Sequence, residues 1–476
     1  MDFYKLTKLS YPKRILSYIS IVLASTVLIA GCSNLDIKPY EPEPEPIAPE
    51  MPKTGIYYSD LTLDGATYNA NAATYTTTAG ENIDLTNGGT TTFTSTADAI
   101  TFATGTVELA NGSNLVVNSA GGDISLVAIK GTSIEDVTLN AAAGDVTVGQ
   151  IGAAAAEINV VAITGATINL GGNINTDDDG AGQEGNVGLT GAVVLAAAVT
   201  IDTDAGNGSV TLSSTLNGAF DFDISSGTGA VAIQGVTGAT AALASLDINN
   251  AAGSGTIEVT NIGAGAAGVT NATRIGNANT TPLTLDGSVY NTDGAQTYTA
   301  TAAGDGNTIR PSGAVAFTTS ADNVSFLVGN LILAGNTSVN TAAGAGTIRF
   351  GAKVDGAFNL TLTAGTGNID FDGNVGATSR LAAVTVASVA TLDTDGTFSA
   401  ASFQQNAGTT LSQFDGTVNL TGAFAFTGQA LTFNAADTSV GTTMTVTNAG
   451  TFTTGDAANL TVGNEFVQNG AGNSVI

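Results

Sequence analysis

Short runs of alternating apolar and polar residues recur from about residue 54 onward, among them Ser209-Val210-Thr211-Leu212, Phe220-Asp221-Phe222-Asp223-Ile224, Val231-Ala232-Ile233, Leu246-Asp247-Ile248 and Thr256-Ile257-Glu258-Val259. A two-residue period puts every second side chain on the same side of an extended strand. Each run therefore predicts a short strand with one apolar side; in the second run Phe220, Phe222 and Ile224 point inward and Asp221 and Asp223 outward. Gly, Asn, Asp and Ser fill the gaps at a spacing of roughly 9 to 14 residues, the signature of many strands joined by tight turns. No helical period of useful length survives outside the N-terminal apolar run. Pro282 and Pro311 are the only prolines after Pro52, as expected where nearly every segment donates its amides to a ladder.

The runs are themselves repeated. The stretch GNGSVTLSSTLNGAFDFDISSGTGAVAIQGVTGATAALASL, from Gly206, aligns without a gap to GAGTIRFGAKVDGAFNLTLTAGTGNIDFDGNVGATSRLAAV, from Gly344. Gly218, Phe220, Gly227, Gly229, Gly238 and Leu243 fall on Gly356, Phe358, Gly365, Gly367, Gly376 and Leu381. Near the end, Phe403-Gln404-Gln405-Asn406 recurs as Phe466-Val467-Gln468-Asn469. An all-β array without helices has two main closures: a right-handed parallel β-helix (β-solenoid), or tandem β-sandwich modules of about 100 residues. Sandwich modules repeat as whole domains joined by linkers, and no linker-like break interrupts residues 54–476, so the β-helix is favoured. With roughly 20 to 25 residues and about 4.8 Å per coil, it predicts a rod on the order of 80 to 100 Å long.

The first 53 residues differ in character. Residues 1–14 carry Lys5, Lys8, Lys13 and Arg14, and residues 15–30 form the apolar run ILSYISIVLASTVLIA, followed at once by Gly31 and Cys32. A basic start, a short apolar stretch and small residues form a signal peptide. Ile29-Ala30-Gly31-Cys32 resembles a bacterial lipobox. The resemblance implies cleavage between Gly31 and Cys32, lipid attachment at Cys32 with acyl chains such as palmitate, and a location at the bacterial outer membrane or cell surface, with membrane lipid as partner. The alternative is an uncleaved membrane anchor with an incidental cysteine. Residues 32–53 read as a tether: Glu41-Pro42-Glu43-Pro44-Glu45-Pro46 favours an extended polyproline-II spacer. Cys32 is the only cysteine, so no intramolecular disulfide contributes to stability.

Where Gly218 and Gly356 anchor the two long copies, the sequence between strands is similar to the β-strand repeats of bacterial surface adhesins, the filamentous-haemagglutinin-like and autotransporter-passenger-like proteins. The likeness covers most of residues 100–476 and implies a β-helical stalk and a role in cell adhesion. Two departures stand out: there is no Asn-Pro-rich secretion domain of the two-partner type, and no C-terminal barrel segment with an aromatic last residue. The final Gly472-Asn473-Ser474-Val475-Ile476 falls within a repeat, which is expected of a longer array cut short or of an end covered by a partner.

Charge narrows the function classes. The net charge is −28, and after Lys53 the only basic residues are Lys130, Arg274, Arg310, Arg349, Lys353 and Arg380. Without clustered Lys and Arg to neutralise phosphates, nucleic acid is not expected as a partner. The chain contains no His, which removes His-based general acid–base catalysis and most zinc sites.

Asp221 with Asp223, and Asp370 with Asp372, are carboxylate pairs that could bind a cation or act as acid and base, as in polysaccharide-degrading β-helices. The favoured reading is that they are simply the solvated side of alternating strands, since the neighbours Phe220, Phe222 and Ile224 are apolar. Asn175, Asp177 and Asp179, followed by Gly180, place oxygens at alternate positions as a calcium loop does, but Asn186 stands where its twelfth-position Glu belongs. The alternative for this segment is an acidic loop between coils. Threonine-rich stretches such as Thr74-Tyr75-Thr76-Thr77-Thr78 lack the fixed stacking period of an ice-organising ladder. The reading that emerges is a non-catalytic, surface-displayed adhesive or structural stalk with host, glycan or self-association partners and no cofactor apart from the calcium candidate. A polysaccharide-binding or polysaccharide-degrading protein and a self-associating surface-layer or biofilm-matrix component are the alternatives.

Overall fold

A computed structural model describes residues 56–57, 59–78, 80–132, 134–177, 185–302, 308–435, 437–455 and 459–475. Two compact units are distinguished, residues 1–51 and 52–476, and the described residues all belong to the second. It is all-β, a β-solenoid of about 17 turns. Strand pairing is parallel along the stack, which excludes tandem antiparallel sandwiches.

Each turn places a strand on each of three faces, designated here A, B and C. On face A the inward rungs run Leu61, Ile83, Val107, Ile129, Ile151, Ile174, Ile201, Ile224, Ile248 and Ile275, each beside its counterpart in the next turn. Face B carries Leu115, Val137, Val161, Val187, Val210, Val231 and Ile257. Face C carries Ile100, Ile124, Val146, Ile168, Val193 and Leu216. These rungs are buried, and their alternation with outward polar residues is what the two-residue period in the sequence encodes. A turn is as short as Phe414 to Phe433 and as long as Tyr298 to Phe326, a wider range than the sequence spacing suggests, because loops bulge at the corners while the rungs stay aligned. At about 4.8 Å per turn the stack is about 80 Å high.

The core changes composition along the axis. On face A the isoleucine ladder gives way at Tyr298 to Phe326, Phe350 and Phe371. Tyr298 and Phe326 stack with centroids 5.4 Å apart, Phe326 and Phe350 at 5.4 Å, and Phe350 and Phe371 at 4.7 Å. Face C supplies Tyr290 and Phe317, whose rings stack at 5.2 Å, and Phe317 meets Phe326 edge to face at 5.0 Å. The tyrosine hydroxyls inside are satisfied: Tyr290 donates to the Val259 carbonyl at 2.7 Å, and Tyr298 donates to Gln296 Oε1 at 2.9 Å. Burial drives both phenols well above their ordinary value of 10.0.

Asparagines at the corners tie turn to turn. Asn186 Oδ1 accepts from the Ser209 amide and Asn217 Oδ1 from the Thr240 amide, each one turn ahead. At the same kind of corner, Gly218 adopts φ 133° and Gly356 φ 127°, where an added Cβ would run into Leu195 and Leu333 of the preceding turn. This corner overturns one expectation. Phe220 does not point into the core but lies 39% exposed, and its repeat counterpart Phe358 is 38% exposed, because the chain is still rounding the corner there and inward alternation begins only at Phe222.

Candidate functional face

The long repeat does not return to the same face. Leu212 lies on face B, but its counterpart Phe350 lies on face A; Leu216 lies on face C, but its counterpart Val354 lies on face B. The second copy is thus displaced by one face around the axis. Strand motifs encode an inward and an outward side but not which face they occupy, so sequence repetition alone builds no continuous surface stripe.

Charge gathers instead in two stretches of face A, separated by the uncharged Thr297 and Ser325. Asp223 and Asp247 are opposite each other, with Arg274 in the next rung. Arg274 Nη1 lies 2.9 Å from Asp247 Oδ2, and Ser245 Oγ donates to Asp221 at 2.6 Å. Thr200, Asp223, Ser225, Asp247, Asn249 and Asn250 line a groove of about 210 Å³. Burial, then Asp247 and Asp221, push the Asp223 carboxyl above its ordinary value. Asp202, beside Asp204, is pushed up chiefly by burial.

A second acidic stretch lies farther along the same face. Arg349 pairs in register with Asp370 and contacts Asp372 Oδ2 at 2.6 Å; Asp370 is opposite Asp393, and Asp393 is opposite Gln413. Oxygens of Asp393, Asp395 and Asp415 lie within 4.8 Å of one another. Gln413 and Asn434 donate to Asp415 Oδ1 at 2.8 and 2.7 Å, whereas Asp393 Oδ1 is buried with no hydrogen-bond partner. Burial, then Asp395 and Asp415, raise the Asp393 carboxyl; burial, then Asp372 and Asp393, raise Asp370. Three hard oxygen donors suit calcium or magnesium, though exposed carboxylates also gather in this way without an ion.

Both sequence-predicted aspartate pairs therefore sit on face A, but not as repeat equivalents. Asp221 and Asp223 align with Asn359 and Thr361, and Asp370 and Asp372 with Ala232 and Gln234. The calcium candidate is only partly within the described residues. Asn175 lies on face A opposite Asp202, the Asp177 amide donates to the Ile158 carbonyl at 3.0 Å, and Asp179 falls outside. Asn186 is committed to Ser209, whose amide and hydroxyl both donate to it at 2.7 Å. Gly31 and Cys32 also fall outside the described residues.

The Asp393, Asp395 and Asp415 cluster was missed in the sequence, although it leaves a trace. Asp-Gly pairs at 372–373, 395–396 and 415–416 recur at intervals of one turn, which has meaning only once the turn length is known.

Face C is the opposite of face A: its outward residues are mainly Thr, Ser, Asn, Ala and Val. Comparison with protein-family models, curated proteins and solved structures yields no match to this chain.

Proposed function

We propose that the protein is a lipid-anchored, surface-displayed stalk of adhesive or structural function, attached through Cys32, spaced from the membrane by residues 33–53, and binding without catalysis along the sides of its solenoid. The observation that carries this reading is the uninterrupted parallel stack from Leu61 to Val475, in which outward residues recur once per turn. Such a lattice presents many weak contacts, and simultaneous engagement of several raises avidity without a deep pocket. The long repeat, displaced by one face, serves the stack; the recurring surface is set by the ladders.

The test has two arms. Wild-type protein is expected to incorporate palmitate, fractionate with the outer membrane and be cleaved by protease added to intact cells; Cys32→Ser is expected to lose the label and the membrane association. Cells displaying the wild-type chain are expected to adhere to one another or to a glycan-coated or host-cell surface more than cells carrying Cys32→Ser. Membrane retention of Cys32→Ser without label would overturn the anchor, and unchanged adherence would overturn the adhesive role. The groove with Asp223 and Asp247 favours a second reading, a polysaccharide-active protein. It requires shortened or unsaturated products when the body is incubated with a glycan panel, and loss of those products in Asp223→Asn.

A further inference from the structure

The distribution of charge around the solenoid marks face C as the side on which two copies can approach. From Thr167 to Thr447, every described residue flanking an inward rung on this face is uncharged: Thr167 and Asn169 at one end, Thr361 and Thr363 in the middle, Thr445 and Thr447 at the other. Face A carries its carboxylates in rows, and face B presents Asp136, Glu258 and Asp437 outward. In a chain of net charge −28, contact through face A would stack like charges across the interface. Contact through face C would bury none.

The area is sufficient for a weak complex. At about 4.8 Å per turn the uncharged stretch is ~60 Å long and ~10 Å wide, or ~600 Å² on each copy. Two copies would bury ~1,200 Å², the lower end of the range for specific association. Val194, Val236, Val289, Ala192, Ala316 and Ala425 supply apolar surface among short polar side chains that cost little entropy to order. We infer that face C is a self-association surface on which a second copy of this chain packs side by side, sheet against sheet. The inference rests on the solenoid alone and is independent of the lipid anchor and of any adhesive target.

The test uses the body from residue 54 onward, whose described core begins at Leu61 and lies wholly within this compact unit. A dissociation constant on the order of 10–100 µM is expected, tightening as salt screens the net charge. Small-angle scattering should show the cross-section thickening with concentration at unchanged length. The variant Thr361→Glu, Gln404→Glu, Thr427→Glu, altered at three exposed positions of face C, should remain thin at every concentration. Thr397→Glu, Thr417→Glu, Ser439→Glu on face B of the same region should thicken as the wild type does, and circular dichroism should be the same for all three. Thin particles in the wild type at every concentration and salt, lengthening without thickening, or thickening that survives the face C charges would each overturn the inference.

Discussion

Asp393 concentrates the tension of the charged face in one side chain: one oxygen is buried without a partner, and the neighbouring carboxylates of Asp395 and Asp415 crowd it. The raised pKa values of Asp393, Asp370 and Asp223 mean that the folded chain takes up protons at higher pH than the unfolded chain. Stability therefore rises as pH falls from neutral through these raised values and levels off once the ordinary value of 3.8 is passed. Asp355 acts in the other direction. Burial pushes it up, but the Ser379 and Thr378 amides and Lys353 outweigh that effect, so its contribution is present above 3.8 and is lost as pH falls through its lowered value. The expected optimum is mildly acidic: the melting temperature should be higher near pH ~4.5 than at pH ~7. At neutral pH, Asp393→Asn should stabilise by up to about 1 kcal/mol, the scale of a partly exposed charge interaction, and should flatten the pH profile. A melting temperature that falls steadily on acidification from pH 7 would contradict the assignment. The corner glycines allow a second check: Gly218→Ala forces a Cβ onto Leu195 at positive φ and should cost about 1–3 kcal/mol by chemical denaturation.

At the scale of the strand, stability is a nearest-neighbour property, because each rung packs chiefly on the rungs one turn before and after. Phe350 illustrates this, buried and sandwiched between Phe326 at 5.4 Å and Phe371 at 4.7 Å. Phe350→Ala should cost about 3–5 kcal/mol. In a stack this loss is local, so calorimetry should show one transition dividing into two as the halves on either side uncouple; a uniformly shifted single transition would mean that cooperativity extends farther than the contacts. Strand identity and inward residues were legible in the sequence, since Val210-Thr211-Leu212 and Val231-Ala232-Ile233 alternate in the only way that buries their aliphatic side chains. What was not legible lies at the corners. Phe220 continues the alternation on paper, but the turn begun at Gly218 delays inward alternation until Phe222. Likewise, no local pattern states that Asp393 will meet Asp415, because their approach depends on a turn length set by loops elsewhere.

For the whole molecule, the consequential fact is that the two long copies occupy different faces. Leu216 on face C and Val354 on face B carry the same motif, so any face accepts any strand, and the fold requires only that each rung find a partner one turn away. Removing a whole turn should therefore be tolerated. Deletion of residues 394–413 brings Phe414 beneath Phe371, Val418 beneath Val375 and Phe426 beneath Val386, so all three ladders rejoin in register and the interruption of the aromatic ladder at Thr394 disappears. This variant should retain strand content by circular dichroism, unfold cooperatively, and shorten by one rise of about 4.8 Å. Deletion of residues 394–400 removes about a third of a turn instead. It leaves one coil too short to close and exposes apolar rungs on both sides of the junction, so its melting temperature should fall much further, with the halves unfolding separately. Equal damage from the two deletions would mean that each rung accepts only its present neighbour one turn away, rather than any apolar partner brought into register.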